Sequence, residues 1–346
     1  MDGGMQDKEN GKAANKSVVW DGDQGVDLEP REVPEPGQGE LKVRVEASGL
    51  CGTDLHIASG EYPPARPGVT LGHEFSGTVV EVGEGVDALA EGDRIVVDPN
   101  IPCRVCRYCH DGRPHLCENP EAIGVTRSGG LADFALLPAP QAYRVPDGLP
   151  SEAAALTEPL ACALHAVDLG ALRPGERALV LGAGPIGILC SMLLVAAGAS
   201  EVLVSEPNPD RRERIRRLGA EPVQPESVSE SIADRVFECV GRPETMRAAV
   251  EAARAGGTVM WVGVAPPDAE VAVKPYDVFS RELTIRGSYT NPYVMDRALA
   301  LLASGRLDWQ AVLTHRFALE DFGEAWEAHR EGAGLKISVQ PATHAS

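Results

Sequence analysis

Four cysteines fall inside the stretch CRVCRYCHDGRPHLC (residues 103–117), spaced C-x2-C-x2-C-x7-C. Two-residue gaps let successive thiolates turn inward toward one ion, and the longer loop brings the fourth around to close a tetrahedron. Cys103, Cys106, Cys109 and Cys117 would leave a zinc ion no open coordination position, so such an ion holds a loop together and does no chemistry. An iron–sulfur cluster is the competing assignment. Four unrelated surface cysteines would leave several reactive thiols side by side, which makes a structural zinc site the better reading. The other four cysteines, Cys51, Cys162, Cys190 and Cys239, are scattered through apolar segments. An even cysteine count points to disulfides in short secreted chains. In this longer chain, bound metal in a reducing compartment fits better.

A second set of metal-ligating residues is assembled from distant pieces. A catalytic zinc takes three protein ligands and keeps one position for water or substrate. GLCGTDLHIASG (49–60) offers Cys51, LGHEFSGTVVEVGEGV (71–86) offers His73 and Glu74, and LTEPLACALHAV (156–167) offers Glu158, with Cys162 one helical turn later. Taken singly each is weak. A lone cysteine is a small buried hydrophobe, a lone histidine a satisfied core residue, and a glutamate before proline a helix start. Their order around the cysteine cluster makes them specific as a set.

A nucleotide motif follows. In RALVLGAGPIGILCSMLLVAAGASEVLVSE (177–206) the glycines Gly182, Gly184 and Gly187, with Pro185 and Ile186 between them, come after an apolar strand and open an apolar helix. The glycines permit the tight turn and let backbone N–H groups approach a pyrophosphate at the helix N-terminus. A bare strand-to-helix turn is the plain alternative. Glu206 stands nineteen residues after Gly187, where a carboxylate accepts both ribose hydroxyls of NAD and repels a 2′-phosphate. Arg211 and Arg212 weigh toward NADP, but NAD is the cofactor expected.

On Gly72, His73, Glu74, Gly77, Gly83 and Val86, the pattern G-H-E-x2-G-x5-G-x2-V, the chain resembles the zinc-containing medium-chain dehydrogenases and reductases. The resemblance runs from about residue 18 to 341, and the cysteine loop and glycine motif follow in the family's order. It implies a catalytic zinc on Cys51 and His73 with Glu74 as a direct or exchanging ligand. Glu158 would stand where many alcohol dehydrogenases have a second cysteine, as in the sorbitol- and threonine-dehydrogenase-like branches; Cys162 is the alternative. One thiolate among nitrogen and oxygen donors would make the zinc a harder Lewis acid, suited to vicinal hydroxyl or amino-alcohol oxygens. Thr53 and His56 would relay the proton of the alcohol, and Asp54 would orient His73; a plain capped helix start is the other reading of these positions. Arg211 would touch the adenosine ribose. Val262, Gly263 and Val264, then Ser288, Tyr289 and Thr290, would lie near the nicotinamide.

The elements that must position these groups divide the chain. Residues 1–17 read as a disordered tail, and 18–160, rich in Gly and Pro turns, as a β-rich lobe. Alternating strands and helices over 161–290 read as a doubly wound sheet, and 291–346 return to the first lobe by resemblance. The expected fold is thus α/β, a GroES-like catalytic domain with a Rossmann-type parallel sheet. A net charge of −19 opposes nucleic acid and anionic membrane surfaces as partners; the arginine-rich run 211–219 reads as a solvated helix face. No apolar run spans a bilayer and the start is not signal-like, so a cytoplasmic enzyme is expected, a homodimer or homotetramer by resemblance. Its reaction would move a hydride reversibly between NAD and a secondary alcohol of a polyol, cyclitol or amino-alcohol, giving a ketone. The rivals are an NADPH-linked carbonyl reductase of the same fold and a non-catalytic zinc- and nucleotide-binding protein. Tyr62 and Tyr289 are candidate walls of the substrate pocket.

Overall fold

The computed structural model describes residues 14–23, 25–62 and 64–342. A six-stranded parallel sheet runs, edge to edge, Glu221–Val223, Glu201–Ser205, Arg177–Leu181, Ala233–Glu238, Ala253–Trp261 and Thr284–Gly287. In chain order these are strands 3-2-1-4-5-6, the arrangement of a doubly wound nucleotide-binding sheet. Its first strand is a continuous apolar run, as a strand covered on both faces requires: Ala178, Leu179 and Val180 are fully buried. Parallel strands share one carboxyl edge, so the segments that follow them gather on one side of the sheet.

The second large sheet has the order Leu313–Ala318, Lys336–Gln340, Glu40–Gly49, Glu74–Val82, Arg94–Val97 and Ala142–Arg144, with Phe134–Pro138 also pairing to Glu40–Gly49. Gly77 sits where a Cβ would lie 2.1 Å from the carbonyl oxygen of Arg44, so only glycine lets these two strands close up. Two C-terminal strands complete a sheet begun before residue 50. Helix Phe322–Arg330 packs on those strands, while Met295–Ala303 packs instead on the long helix Thr157–Gly170. That long helix lies in a core shared by Val96 and Val145 on one side and Val180 and Phe237 on the other.

The first strand, Asn15–Trp20, begins within the stretch expected as a tail. Asn15 explains why: its side chain donates to the Phe134 carbonyl at 3.1 Å and accepts from the Phe134 N–H at 2.9 Å, so the backbone there has fixed partners. Residues 1–13 of that stretch lie outside the described residues. The arginine-rich run is a helix, Pro209–Arg217, of which only Ile215 is buried. Among the described residues no helix is long and apolar enough to cross a membrane.

Candidate active site

Cys51 stands at the N-cap of helix Gly52–Ala58 with an extended backbone, φ −121° and ψ 154°. The cap is closed by Asp54, whose Oδ2 accepts the Cys51 N–H at 2.9 Å; Thr53 is not the capping residue. His73 precedes strand Glu74–Val82, and Glu74 opens it beside Gly49. One donor atom from each of Cys51, His73 and Glu74 lies within 4.8 Å of the others. A Cβ on Gly49 would come 2.3 Å from Glu74 Oε2, so glycine there leaves room for the carboxylate.

The electrostatics fit a cation. His73 Nδ1 lies 3.6 Å from Asp54 Oδ1, both buried, and neither atom has a hydrogen-bond partner. That is an ion-pair distance, with Asp54 facing one ring nitrogen and leaving the other for a metal. Burial pushes the His73 pKa down, but the neighbouring Cys51 and Asp54 outweigh it and raise it well above its ordinary value. Glu158, in the first turn of helix Thr157–Gly170, lies outside the group of three. Burial, and then the charge of Glu74, push its pKa up to about 7. Cys162 Sγ is 3.4 Å from Glu158 Oε1, and burial followed by that carboxylate holds its thiol well above the usual range. Cys162 is thus a partner of Glu158 and, like it, stands outside the triad.

Three neighbours were not anticipated. Lys336 is buried and places Nζ 2.7 Å from both oxygens of Glu74. His329 Nε2 sits 2.9 Å from the Cys51 carbonyl. Glu61 Oε2 is 3.1 Å from His56 Nδ1 at the surface. A lone lysine within the apolar run LKISV was the visible signal for Lys336; nothing local marked the other two. Thr53 Oγ1 is 3.6 Å from Cys51 Sγ, and His56 is exposed one turn further on. Tyr62 and Tyr289 meet: burial, then the Tyr289 hydroxyl beside it, raises the Tyr62 pKa.

The four clustered cysteines are all reduced. Their donor atoms lie within 4.8 Å of one another, with Cys106 Sγ 3.5 Å from Cys109 and 3.9 Å from Cys117. A tetrahedron with Zn–S bonds of 2.3 Å has edges of about 3.8 Å, whereas a disulfide measures about 2.05 Å. The backbone N–H groups of Glu118 and Cys109 lower the Cys106 thiol to about 6. Burial and the adjacent Cys106 push Cys109 up to about 12. Bare thiols this close cannot all ionise, and a cation at their centre would remove the conflict.

At the carboxyl edge of the parallel sheet, the residues singled out for the cofactor follow four different strands: Gly182 after Leu181, Glu206 after Ser205, Val262 after Trp261, Ser288 after Gly287. Gly182 has φ +95°, and a Cβ on Gly187 would lie 2.0 Å from the Gly182 carbonyl oxygen. At Gly184, the N-cap of helix Pro185–Ala196, a Cβ would meet nothing within 4 Å. That open space at a helix N-terminus could take a pyrophosphate. Glu206 is buried, its carboxylate accepting from the Ala183 N–H and the Asn208 N–H at 2.9 Å each. Arg211 lies half-buried on the following helix. Val264 and Tyr289 are exposed, and Thr290 has φ +52°.

A β-rich sheet carrying a Cys–His–Glu group that could hold a metal ion, beside a parallel sheet of doubly wound order, is the pattern of a zinc-binding dehydrogenase. Residues 37–147 match the model of the alcohol dehydrogenase GroES-like domain, and residues 185–304 that of the zinc-binding dehydrogenase domain. The chain is 35% identical over 336 residues to the L-threonine 3-dehydrogenase of Thermococcus kodakarensis, covering 92% of this chain and 95% of that one. It is 33% identical over 336 residues to the sorbitol dehydrogenase of Gallus gallus, covering 90% and 92%. A crystal structure from Sinorhizobium meliloti 1021, a candidate zinc-binding dehydrogenase bound to NADP, superimposes with a TM-score of 0.91 at 38% identity, covering 95% of this chain and all of that one. The chain belongs to the zinc-containing alcohol dehydrogenase family, and it is an oxidoreductase of the alcohol and polyol dehydrogenase kind.

Proposed function

We propose that this enzyme oxidises a secondary alcohol of a polyol, cyclitol or amino-alcohol to a ketone, reversibly, with NAD. The observation that carries the reading is the donor set: one thiolate, one imidazole and one carboxylate within 4.8 Å, with a second carboxylate, Glu158, beside them. Zinc, when bound there, would supply Lewis acidity that lowers the pKa of a substrate hydroxyl, and the nicotinamide would supply the hydride acceptor. Cys51 and His73 would hold the ion, Glu74 and Glu158 would complete or exchange at its shell, and Asp54 would fix the His73 ring. Thr53 would take the alcohol proton, and His56, exposed and tied to Glu61, would deliver it to water. Cys103, Cys106, Cys109 and Cys117 would hold a second, structural zinc.

The glycine turn would cradle the pyrophosphate, and Glu206 with Arg211 the adenosine ribose. A 2′-phosphate would sit against a buried carboxylate, which favours NAD. The NADP in the Sinorhizobium meliloti structure keeps the NADP-linked reductase as a second reading. Residues 18–160 with 291–346 would form the catalytic domain and 161–290 the cofactor domain. We further propose a homo-oligomer: among the described residues strand Thr284–Gly287 ends its sheet with an unpaired edge, and Tyr276 and Phe279 in the helix before it are 74% and 79% exposed.

The test is NADH and NADPH formation across polyols, cyclitols, amino-alcohols and simple alcohols, with metal content measured beforehand. Turnover of vicinal diols with NAD by protein carrying two zinc ions per chain is the expected result. Silence across the panel, despite both zincs and bound NAD, would return the protein to the non-catalytic reading.

A further inference from the structure

A cavity of about 310 Å³ opens between the cysteine loop, the far end of helix Thr157–Gly170 and the last strand of the parallel sheet. Its polar lining comes from Arg113, His115, His165, Arg286 and Tyr289, and no acidic residue lines it. In a chain of net charge −19 this is an unusual place. Neither Arg113 nor Arg286 has an acidic partner or a side-chain hydrogen bond among the described residues. The acid nearest in effect to His165, Asp168, is already held by Arg297 at 3.1 Å. The His115 and His165 rings stand edge to face with centroids 5.6 Å apart, and His115 Nδ1 is buried with no partner.

The cavity is also aligned with the metal triad. His165 follows Glu158 by seven residues on one helix, two turns and about 10 Å along the same face. Tyr289 reaches back to Tyr62, which lies within electrostatic reach of His73 and Cys51. Tyr289, which lines the cavity, is thus the residue that links it to the side of the triad.

We propose that this cavity is the anion-binding end of the substrate cleft. Arg113 and Arg286 receive a terminal phosphate or carboxylate on a hydroxylated chain whose reacting alcohol lies beside Cys51, His73 and Glu158. Guanidinium groups pair both anions through two parallel N–H bonds. The choice of ligand rests on the dehydrogenase reading; the existence of an anion site does not.

The experiment uses the zinc-loaded full chain. Calorimetric binding of a hexitol 1-phosphate, a hexonate and a neutral hexitol is measured for wild type, R113Q/R286Q and R286K, alongside kcat/KM for each compound. One or both acidic compounds should bind at least about ten-fold more tightly than the neutral one, and R113Q/R286Q should abolish that margin through KM with kcat retained. R286K should keep part of the margin, and the neutral hexitol should be unaffected. The phosphate and carboxylate arms decide which acid the site takes. Equal binding of all three compounds, or an equal loss for acidic and neutral compounds in R113Q/R286Q, overturns the proposal. Turnover of neutral compounds without any acidic preference overturns it while leaving the dehydrogenase reading intact; acid binding without turnover does the reverse.

Discussion

The ammonium of Lys336 lies 2.7 Å from each carboxylate oxygen of Glu74 and 3.0 Å from the carbonyl oxygen of Leu50. Both side chains are at most 4% exposed. Burial alone would lower the lysine pKa, but the Glu74 charge and its neighbours keep it raised, so the ammonium stays charged. K336M would leave the Glu74 carboxylate buried and unpaired, at a cost of about 3–5 kcal/mol. Urea unfolding of K336M, E74Q and the double variant measures this. The double variant should recover a large part of the loss; simple additivity of the two single losses would refute the pairing.

The glycine turn separates folding from cofactor binding. G187A forces a Cβ to 2.0 Å from the Gly182 carbonyl oxygen, and the fold must shift. G184A places its methyl in open space, so Tm should stay within a few degrees of wild type. Because that space is where the pyrophosphate is proposed, G184A should weaken NAD at least about ten-fold, as measured by fluorescence titration. Unchanged NAD affinity in G184A would move the pyrophosphate elsewhere.

The proposed proton path grades its members. T53A removes the group beside Cys51 and should lower kcat by about 10²–10⁴-fold. His56 is 46% exposed, so water and buffer can replace it. H56N should lose about ten-fold at low buffer concentration and recover as an imidazole or phosphate buffer is added. Rescue of T53A by the same buffers would argue against an enclosed first step.

Glu152 and Arg316 tie helix Ser151–Ala155 to strand Leu313–Ala318, with Nε–Oε2 at 2.5 Å and Nη2–Oε1 at 2.8 Å. The Arg316 hydrogen bond holds the Glu152 carboxyl below its ordinary range. A depressed carboxyl stabilises the fold above its unfolded-state pKa and loses that contribution as pH falls through the folded-state pKa. Arg316 is 46% exposed, so E152Q should cost only about 0.5–1 kcal/mol at pH 7. Denaturation well below the carboxylate range should show no difference from wild type, whereas a constant penalty at every pH would mean that packing, not charge, is what the glutamate provides.

Chemistry confined to a short segment was legible in the residues alone. The four cysteines span fifteen positions, so their spacing already constrains their geometry. The glycine motif lies in one strand–turn–helix unit whose backbone demands exclude other residues, as the 2.0 Å contact at Gly187 illustrates. The doubly wound parallel sheet followed from the alternation of apolar runs and helices, whereas the order of its strands came from the structure. Cys51, His73 and Glu74 were weak singly, since twenty-one residues lie between Cys51 and His73, and became a set through their order around the cysteine cluster and through resemblance.

Tertiary structure decided the rest, because those contacts join segments with no local reason to meet. Lys336 reaches Glu74 across 262 residues, His329 reaches Cys51 across 278, and each depends on C-terminal elements that complete the first sheet. The placement of Glu158 and Cys162 turned on helical phase and on burial around the triad. Arg113 and Arg286 read in the sequence as two ordinary surface arginines. Only the packing of the cysteine loop against the helix and the sheet edge places them on one cavity and leaves both without an acid among the described residues.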